Sequence, residues 1–557
     1  MAFVGNNANL ALEGEDPRVS VESKFFSKRR HLGGEKAPVS SGVVSVPKSQ
    51  DFLQQVSFAA YDHWAKLTRA DESLDKSEEN GSSALRDIDT QQYHSAHALR
   101  TARWFNIFFL ITTDILGPSN APWAVSQLGY APGVLLYFFM GLVAFYTGWQ
   151  IWHMFLGLDS YRYPLRTYSQ MAHRIYGSYA KTGVNALQSI QLLFNVSVLI
   201  LGEGQALAQI AQFKVCFSVL MLVFMLAGMM LAQVRTFKNF GWFANVAVWF
   251  NLFIIFATMA IIGKSSPNYH AAQQQNGIFS HEPVYHAAFS GNPISKQIVA
   301  VMQMVYAYGG AMIFVEMLAE MRRPWDFWKG MASAQALIFS VYLLYGLFIY
   351  SRQGQYTINP ANQGISQDEF GWQTALNILS LVGGLIAACL YGNVGVKVVY
   401  QTFVVEIGKG PTLDTRKGKL YWIPTVLCYW AIAFVLGSSI PQINGVSGVV
   451  AAACILQFTY TFPPILKVGY DVQRDALEGD GDFDAATGEK QPIDTWRDLS
   501  RWHRGFRKQW YIKLFNILIF LGGLATAALG LWASITSLIV GFQQRGAAVS
   551  FGCTAPV

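Results

Sequence analysis

Charge is scarce in this sequence. Of 557 residues only 13% are Asp, Glu, Lys or Arg, against roughly 25% in an ordinary soluble domain. That scarcity excludes a solvated globular surface around most of the chain. Cysteine is scarce too. The five cysteines show no CxxC and no Cys/His spacing suited to a metal. Cys216, Cys389, Cys428 and Cys454 fall in apolar runs and read as small core residues, and Cys553 stands alone in the tail. There is no GxxxxGK[ST] stretch, which argues against ATP as the driving force. We find no cluster of nucleophile, histidine and acid, so the reading is not an enzyme, with no catalytic residue, metal or cofactor. Residues 1–100 are polar and lack an apolar h-region near Met1, so no cleavable signal peptide is expected.

Apolar length is plentiful. Hydrophobic residues make up 52% of the chain and come in long runs rather than in a helical stripe, the pattern of a polytopic, all-α membrane protein. The rule of about 20 apolar residues per crossing predicts eleven spans, at 104–127, 131–156, 183–212, 215–233, 240–263, 295–320, 327–350, 372–404, 420–438, 445–467 and 511–540. The net charge of +7 does not imply nucleic acid, because the basic residues lie between apolar spans. One alternating set of connections holds Arg162, Arg166, Arg174, Lys181, Arg322, Arg323, Arg416, Lys417, Arg501 and Arg504 among others. The other set holds Lys214, Lys264, Lys296, Arg352 and Arg545. By the positive-inside rule the N-terminus is then cytosolic and the C-terminus is not.

Residues 1–100 mix Ser, Gly and charge and read as a mostly disordered cytosolic tail. Within it "FLQQVSFAAYDHWAKL" (52–67) has helical periodicity and lies on the membrane, docks on the protein or forms a short isolated helix. Most aromatic residues, Trp149, Trp152, Trp422 and Trp430 among them, read as lipid-facing or interfacial.

Two spans are interrupted. The first carries "TTDILGPSNAPWA" (112–124), and the sixth carries Gly309-Gly310 in mid-span. Gly/Pro-interrupted spans in corresponding positions of two halves point to an inverted-repeat transporter with its site at the breaks. Freed backbone groups cannot face lipid and so line a cavity. The start of a half-helix suits a carboxylate, and freed carbonyls suit an ammonium. An amino acid uses both.

The stretches "ILGPSNAPWAVSQLGYAPGVLLY" (115–137), "IQLLFNVSVLILGEGQAL" (190–207) and "YAYGGAMIFVEMLAEMRRPWDF" (306–327) resemble the amino acid/auxin permease family in its fungal-type branch. The resemblance implies eleven spans in a leucine-transporter-like fold of five plus five inverted repeats and one extra helix. It also implies amino-acid uptake driven by protons or sodium. Carried onto this chain, it places substrate at Gly117, Pro118, Ser119, Asn120 and Ala121, and at Tyr306, Tyr308, Gly309 and Gly310. The first break departs from the family's small-apolar pattern: it is more polar and has an extra proline. The domains expected are a tail (1–100), a transporter domain (101–541, with repeats at about 104–263 and 295–467 and the extra helix at 511–540) and a non-cytosolic tail (542–557).

Ionisable groups inside spans are costly and therefore functional candidates. Asp114, Lys397, Glu203 and Glu316 are assigned to proton coupling, with Lys397 expected near span one. Glu203 faces either the bundle or the far-side mouth. Glu320 is expected in an ion-pair gate on the cytosolic side, and His153 reads as a satisfied structural histidine. Sodium-coupled relatives use a hydroxyl about two turns before Lys397. This chain has Cys389 and Leu390 there, which argues for protons. The expected function is proton-coupled symport of neutral amino acids across a bilayer, in the plasma membrane rather than the vacuolar membrane, with no nucleic-acid partner. The alternatives are a transporter-like amino-acid receptor and a sodium-coupled or cationic amino acid transporter.

Overall fold

The computed structural model describes residues 56–74, 100, 102–115, 118–233, 240–278, 282–411, 413, 415–484, 489–543 and 549–555. The chain divides into two units, 1–55 and 56–557, and the described residues all belong to the second. Among them nine helical stretches are long and apolar enough to cross a membrane: Tyr130–Leu158, Ser178–Ile210, Asn245–Ile262, Ile294–Glu320, Pro324–Tyr356, Gln367–Val405, Arg416–Ser439, Ile443–Gly479 and Trp510–Gln543. Phe217–Leu231 is a shorter apolar helix. The first apolar run is split into Trp104–Ile115 and Ala121–Leu128. The strands among the described residues are one two-residue hairpin, Phe483–Asp484 against Glu489–Lys490.

These stretches overlap the expected spans. One stretch runs well past its expected span, and there the extension is amphipathic. Ile443–Gly479 continues past 467 through the helix Phe462–Ala476, whose Lys467 bonds Asp471 at 2.5 Å. Apolar-window reasoning stops where such charges begin. "QFK" does separate the third and fourth apolar runs: Gln212 and Phe213 take left-handed backbone (φ 52° and 56°) between Ile210 and Phe217.

Three readings change. Cys216 and Cys553 form a disulfide across 337 residues of chain, so neither is a plain core thiol or a lone one. No local spacing announces a bond between such distant residues. Of the four tryptophans read as lipid-facing, Trp430, Trp422 and Trp152 are buried and only Trp149 is exposed. Trp430 packs where Gly228 and Gly392 leave room: a Cβ on either would come within 2.3 and 3.0 Å of the indole. Third, Cys428 is exposed rather than a core thiol. Of the readings offered for 52–67, docking on the protein is the one realised, by the helix Phe58–Leu74. Tyr61 meets Tyr163 edge-on and lies under Arg174, and His63 stacks on Phe483 at 4.0 Å.

Candidate functional site

The first break is a single 3-10 turn, Pro118–Asn120, from which the half-helix Ala121–Leu128 starts. Ala121 is its first residue rather than part of the unwound turn. Pro122 sits in its first turn, where a missing N–H costs nothing and the backbone angle is preset. Gly117 and the side chain of Asp114 lie outside the described residues. Asn120 is buried, and its Nδ2 donates to the Gln303 carbonyl at 3.1 Å.

The second break follows the helix Ile294–Ala307. Tyr308 caps that helix, and the Gly309 and Gly310 amides turn back to the carbonyls of Tyr306 and Tyr308. A short 3-10 turn, Ala311–Ile313, leads into Phe314–Glu320. Gly309 is required by close approach. A Cβ there would lie 2.2 Å from Ile455 Cγ2, which belongs to a π-helical segment, Ala451–Ile455, of the stretch Ile443–Gly479. The Tyr308 hydroxyl donates to the Tyr137 carbonyl at 3.1 Å, and its ring packs against Tyr137 and Tyr342. Tyr308 is thus buried in an aromatic cluster that backs the break, while Tyr306 is half-buried.

The two breaks are joined through Gln303. It accepts from Asn120 through its carbonyl, and its Nε2 donates to the Asn444 carbonyl (3.0 Å) and the Ser447 hydroxyl (2.9 Å). The sequence reading missed Gln303, Ser447 and Ile455. For Gln303 a signal existed: a glutamine inside the apolar run "VAVMQMVYA". For Ile455 there was none, because nothing local marks a π-helical segment.

The candidate ionisable groups are dispersed. Glu316 follows the second break; its Oε1 accepts from the Tyr168 amide and from Gln188, both at 3.4 Å, and its buried Oε2 has no partner. Glu203 faces the bundle, accepting from Ser380 at 3.1 Å and lying over Gly384, where a Cβ would meet its carboxylate at 2.3 Å. Half-buried Lys397 is in electrostatic reach of Glu320, beyond the second break. The buried His153 Nδ1 has no partner, contrary to the expectation of a satisfied ring.

On the face that carries most of the basic loops, the half-helices of the two breaks are stitched together. Ala102 donates to the Glu320 carbonyl at 3.0 Å and accepts from the Arg322 amide at 2.9 Å. Beside this bridge, fully buried Asp159 accepts from Arg69 (2.7 Å), Arg100 (2.8 Å) and the Leu165 amide (3.0 Å). Burial works against the Arg100 charge, yet Asp159 beside it raises its pKa above the usual guanidinium value. On the opposite face a cavity of about 370 Å³ lies between the two half-helices, lined by Trp123 and Gln127 from one and by Lys296 and Val299 from the other.

Comparison with known proteins identifies the family. The profile of the family described as "Transmembrane amino acid transporter protein" matches residues 100–469. An "N amino acid transport system protein" of Neurospora crassa is 20% identical over 474 residues, 84% of this chain and 90% of the relative. A "Transmembrane transporter" of Fusarium pseudograminearum is 24% identical over 237 residues, 42% of this chain, and the match spans about half (48%) of that relative's length. A "Lysine histidine transporter-like 4" of Arabidopsis thaliana is 29% identical over 115 residues, 20% of this chain and 24% of the relative. With broken apolar helices facing one another and two thirds of its length matched by one profile, the chain belongs to the amino acid/auxin permease family of transmembrane amino acid transporters.

Proposed function

We propose that the protein is a proton-coupled symporter of neutral amino acids. It would work by alternating access in a fold of eleven spans, five plus five inverted repeats and one extra helix. The observation that carries this reading is the pairing of the breaks: Pro118–Asn120 and Tyr308–Gly310 are held side by side by the Asn120–Gln303 bond. The amides of Ser119, Asn120 and Ala121 open a helix and so suit a carboxylate. The carbonyls near Tyr308 and the unwound turn after Gly117 suit an ammonium. Tyr306 and Gly310 border the side chain.

Proton coupling is assigned to Asp114, Glu203, Glu316 and Lys397. The unpartnered Oε2 of Glu316 and the Glu203–Ser380 contact support two of these roles. The basic face is assigned to the cytosol and the plasma membrane is the expected location. The Cys216–Cys553 bond supports a non-cytosolic C-terminal tail, because disulfides persist in oxidising compartments. The plant relative's name points to cationic substrates, and the Neurospora relative's name leaves the class open.

The test is uptake into proteoliposomes with a proton or a sodium gradient imposed separately. Concentrative uptake of a neutral amino acid with the proton gradient alone is expected. Asp114→Asn should remove pH-driven accumulation while leaving exchange. A sodium requirement, or an unimpaired Asn variant, refutes the coupling.

A further inference from the structure

The cavity opposite the basic face contains none of the residues assigned to the breaks. Its wall includes the half-helix after the first break, the half-helix before the second, Gln205 of the helix Ser178–Ile210, residues 441–445, the final helix, the loop helix Tyr269–Asn276 and parts of the loops at 285–292 and 350–355. It is rich in side-chain amides, and several of these already bond within the protein. Asn276 accepts from Trp123 and donates to the Thr357 carbonyl, and Gln127 accepts from Asn292. Others are unsatisfied. Gln205 is 1% exposed and neither its Oε1 nor its Nε2 has a partner; nor do the buried Gln274 Oε1 and Gln442 Nε2. A buried polar group without a partner is costly, and natural proteins retain few. Here the side chains that carry them line a space the size of a small ligand.

We propose that this cavity is an amino-acid binding site separate from the breaks, and that it admits zwitterions while rejecting cationic side chains. The proposal rests on the transport reading only for the class of ligand. Two free amide donors, on Gln205 and Gln442, match a carboxylate; two free amide acceptors, on Gln205 and Gln274, match an ammonium. Lys296 is the one charged group among the described lining residues, and no Asp or Glu is among them. A second positive charge on the ligand therefore meets an ammonium and finds no counter-ion. The site is in series with the breaks: Val299 lines it one helical turn before Gln303, and lining residue Asn444 accepts from Gln303 through its carbonyl. A ligand here rests on the layer of hydrogen bonds that joins the two unwound segments.

The test measures binding rather than uptake. The full chain, purified in detergent, is titrated with L-glutamine, L-alanine, L-phenylalanine and L-lysine, and affinity is read from thermal stabilisation. L-lysine should need at least about tenfold more than the best neutral probe. Lys296→Glu should narrow that ratio to about threefold or less, and Gln205→Leu should weaken the neutral probe about tenfold. Equilibrium dialysis should give two equivalents per chain in the wild type and one in Gln205→Leu. If Gln205→Leu does not fold, Lys296→Glu, at an exposed position, still reads the charge rule. L-lysine binding as well as the neutral probes, or a ratio untouched by Lys296→Glu, overturns the proposal. So does a single equivalent abolished by Gln205→Leu, or the absence of any binding. The predicted binding pattern in a protein that moves no amino acid refutes the transport reading and leaves this site standing.

Discussion

The two faces of the molecule are held together by different chemistry. On the basic face the contacts are charged or backbone: Asp159 between two guanidiniums, and the Ala102–Met321 bridge. On the opposite face they are neutral. Ser290 and Asn292 bond Gln127, and the Tyr130 and Ala131 amides reach the carbonyls of Ala287 and Ala288. Charge-assisted hydrogen bonds are roughly twice as strong as neutral ones, and a buried charge stripped of its partner is far costlier than a lost neutral bond. The difference teaches where the molecule yields. Apart from the Cys216–Cys553 bond, the neutral face is held by weaker contacts than the basic face.

That contrast is breakable at its strongest point. Asp159→Ala leaves the buried Arg69 and Arg100 guanidiniums with Glu72 as their remaining carboxylate and should cost about 3–4 kcal/mol, the lower part of the range for a broken buried pair. The check is the temperature at which the detergent-solubilised protein loses its monodisperse peak. A variant as stable as the wild type would mean that the network does not hold the basic face. Next in size is the Cys216–Cys553 bond on the neutral face, whose reduction should cost about 2–4 kcal/mol. The drop in thermal midpoint with dithiothreitol should vanish in Cys216→Ser. A smaller effect is expected from Ser290→Ala, which deletes one neutral bond to the Gln127 carbonyl, about 1 kcal/mol. If it matches Asp159→Ala, the distinction between the faces fails.

The smallest effect is set by pH. Burial lowers the His63 pKa below its usual 6.5, with Asp62 opposing and Lys66 and Lys490 assisting. The docked helix therefore favours the neutral ring, and the undocked state takes up a proton more readily. Docking is at full strength above pH 6.5 and weakens as pH falls towards the lowered docked value. Protease protection of Phe58–Leu74 should decline between pH 7 and 5, and His63→Phe should abolish that decline while keeping the stack on Phe483.

Legibility in the sequence follows the range of the interaction. The breaks could be read because Pro118 and Pro122 act on their own backbone and because paired glycines are poor helix formers. The apolar stretches could be read because hydropathy is a local sum. Partners separated by long stretches of chain left no local trace. Asp159 looks like any loop acid until Arg69 and Arg100 arrive. Trp430 looks lipid-facing until Gly228 and Gly392 make a slot for it. The placement of Lys397 depended on which helices pack together, and its electrostatic partner is Glu320.

The disulfide also counts. Two sulfurs can join only on one side of a bilayer, so the number of crossings between Cys216 and Cys553 must be even. Among the described residues between them lie seven of the long apolar helices and the short Phe217–Leu231. At 15 residues that helix is about 22 Å long, shorter than the roughly 30 Å hydrocarbon core. Hydropathy alone would let it be discarded. Discarding it leaves an odd number and puts a membrane between bonded atoms, whereas keeping it restores the parity. The tail agrees: the Phe551 amide reaches the Ser438 carbonyl, at the end of Arg416–Ser439 and two long apolar helices upstream. One covalent bond thus acts as a parity check on the topology: if each of the seven long helices crosses, the short one crosses with them.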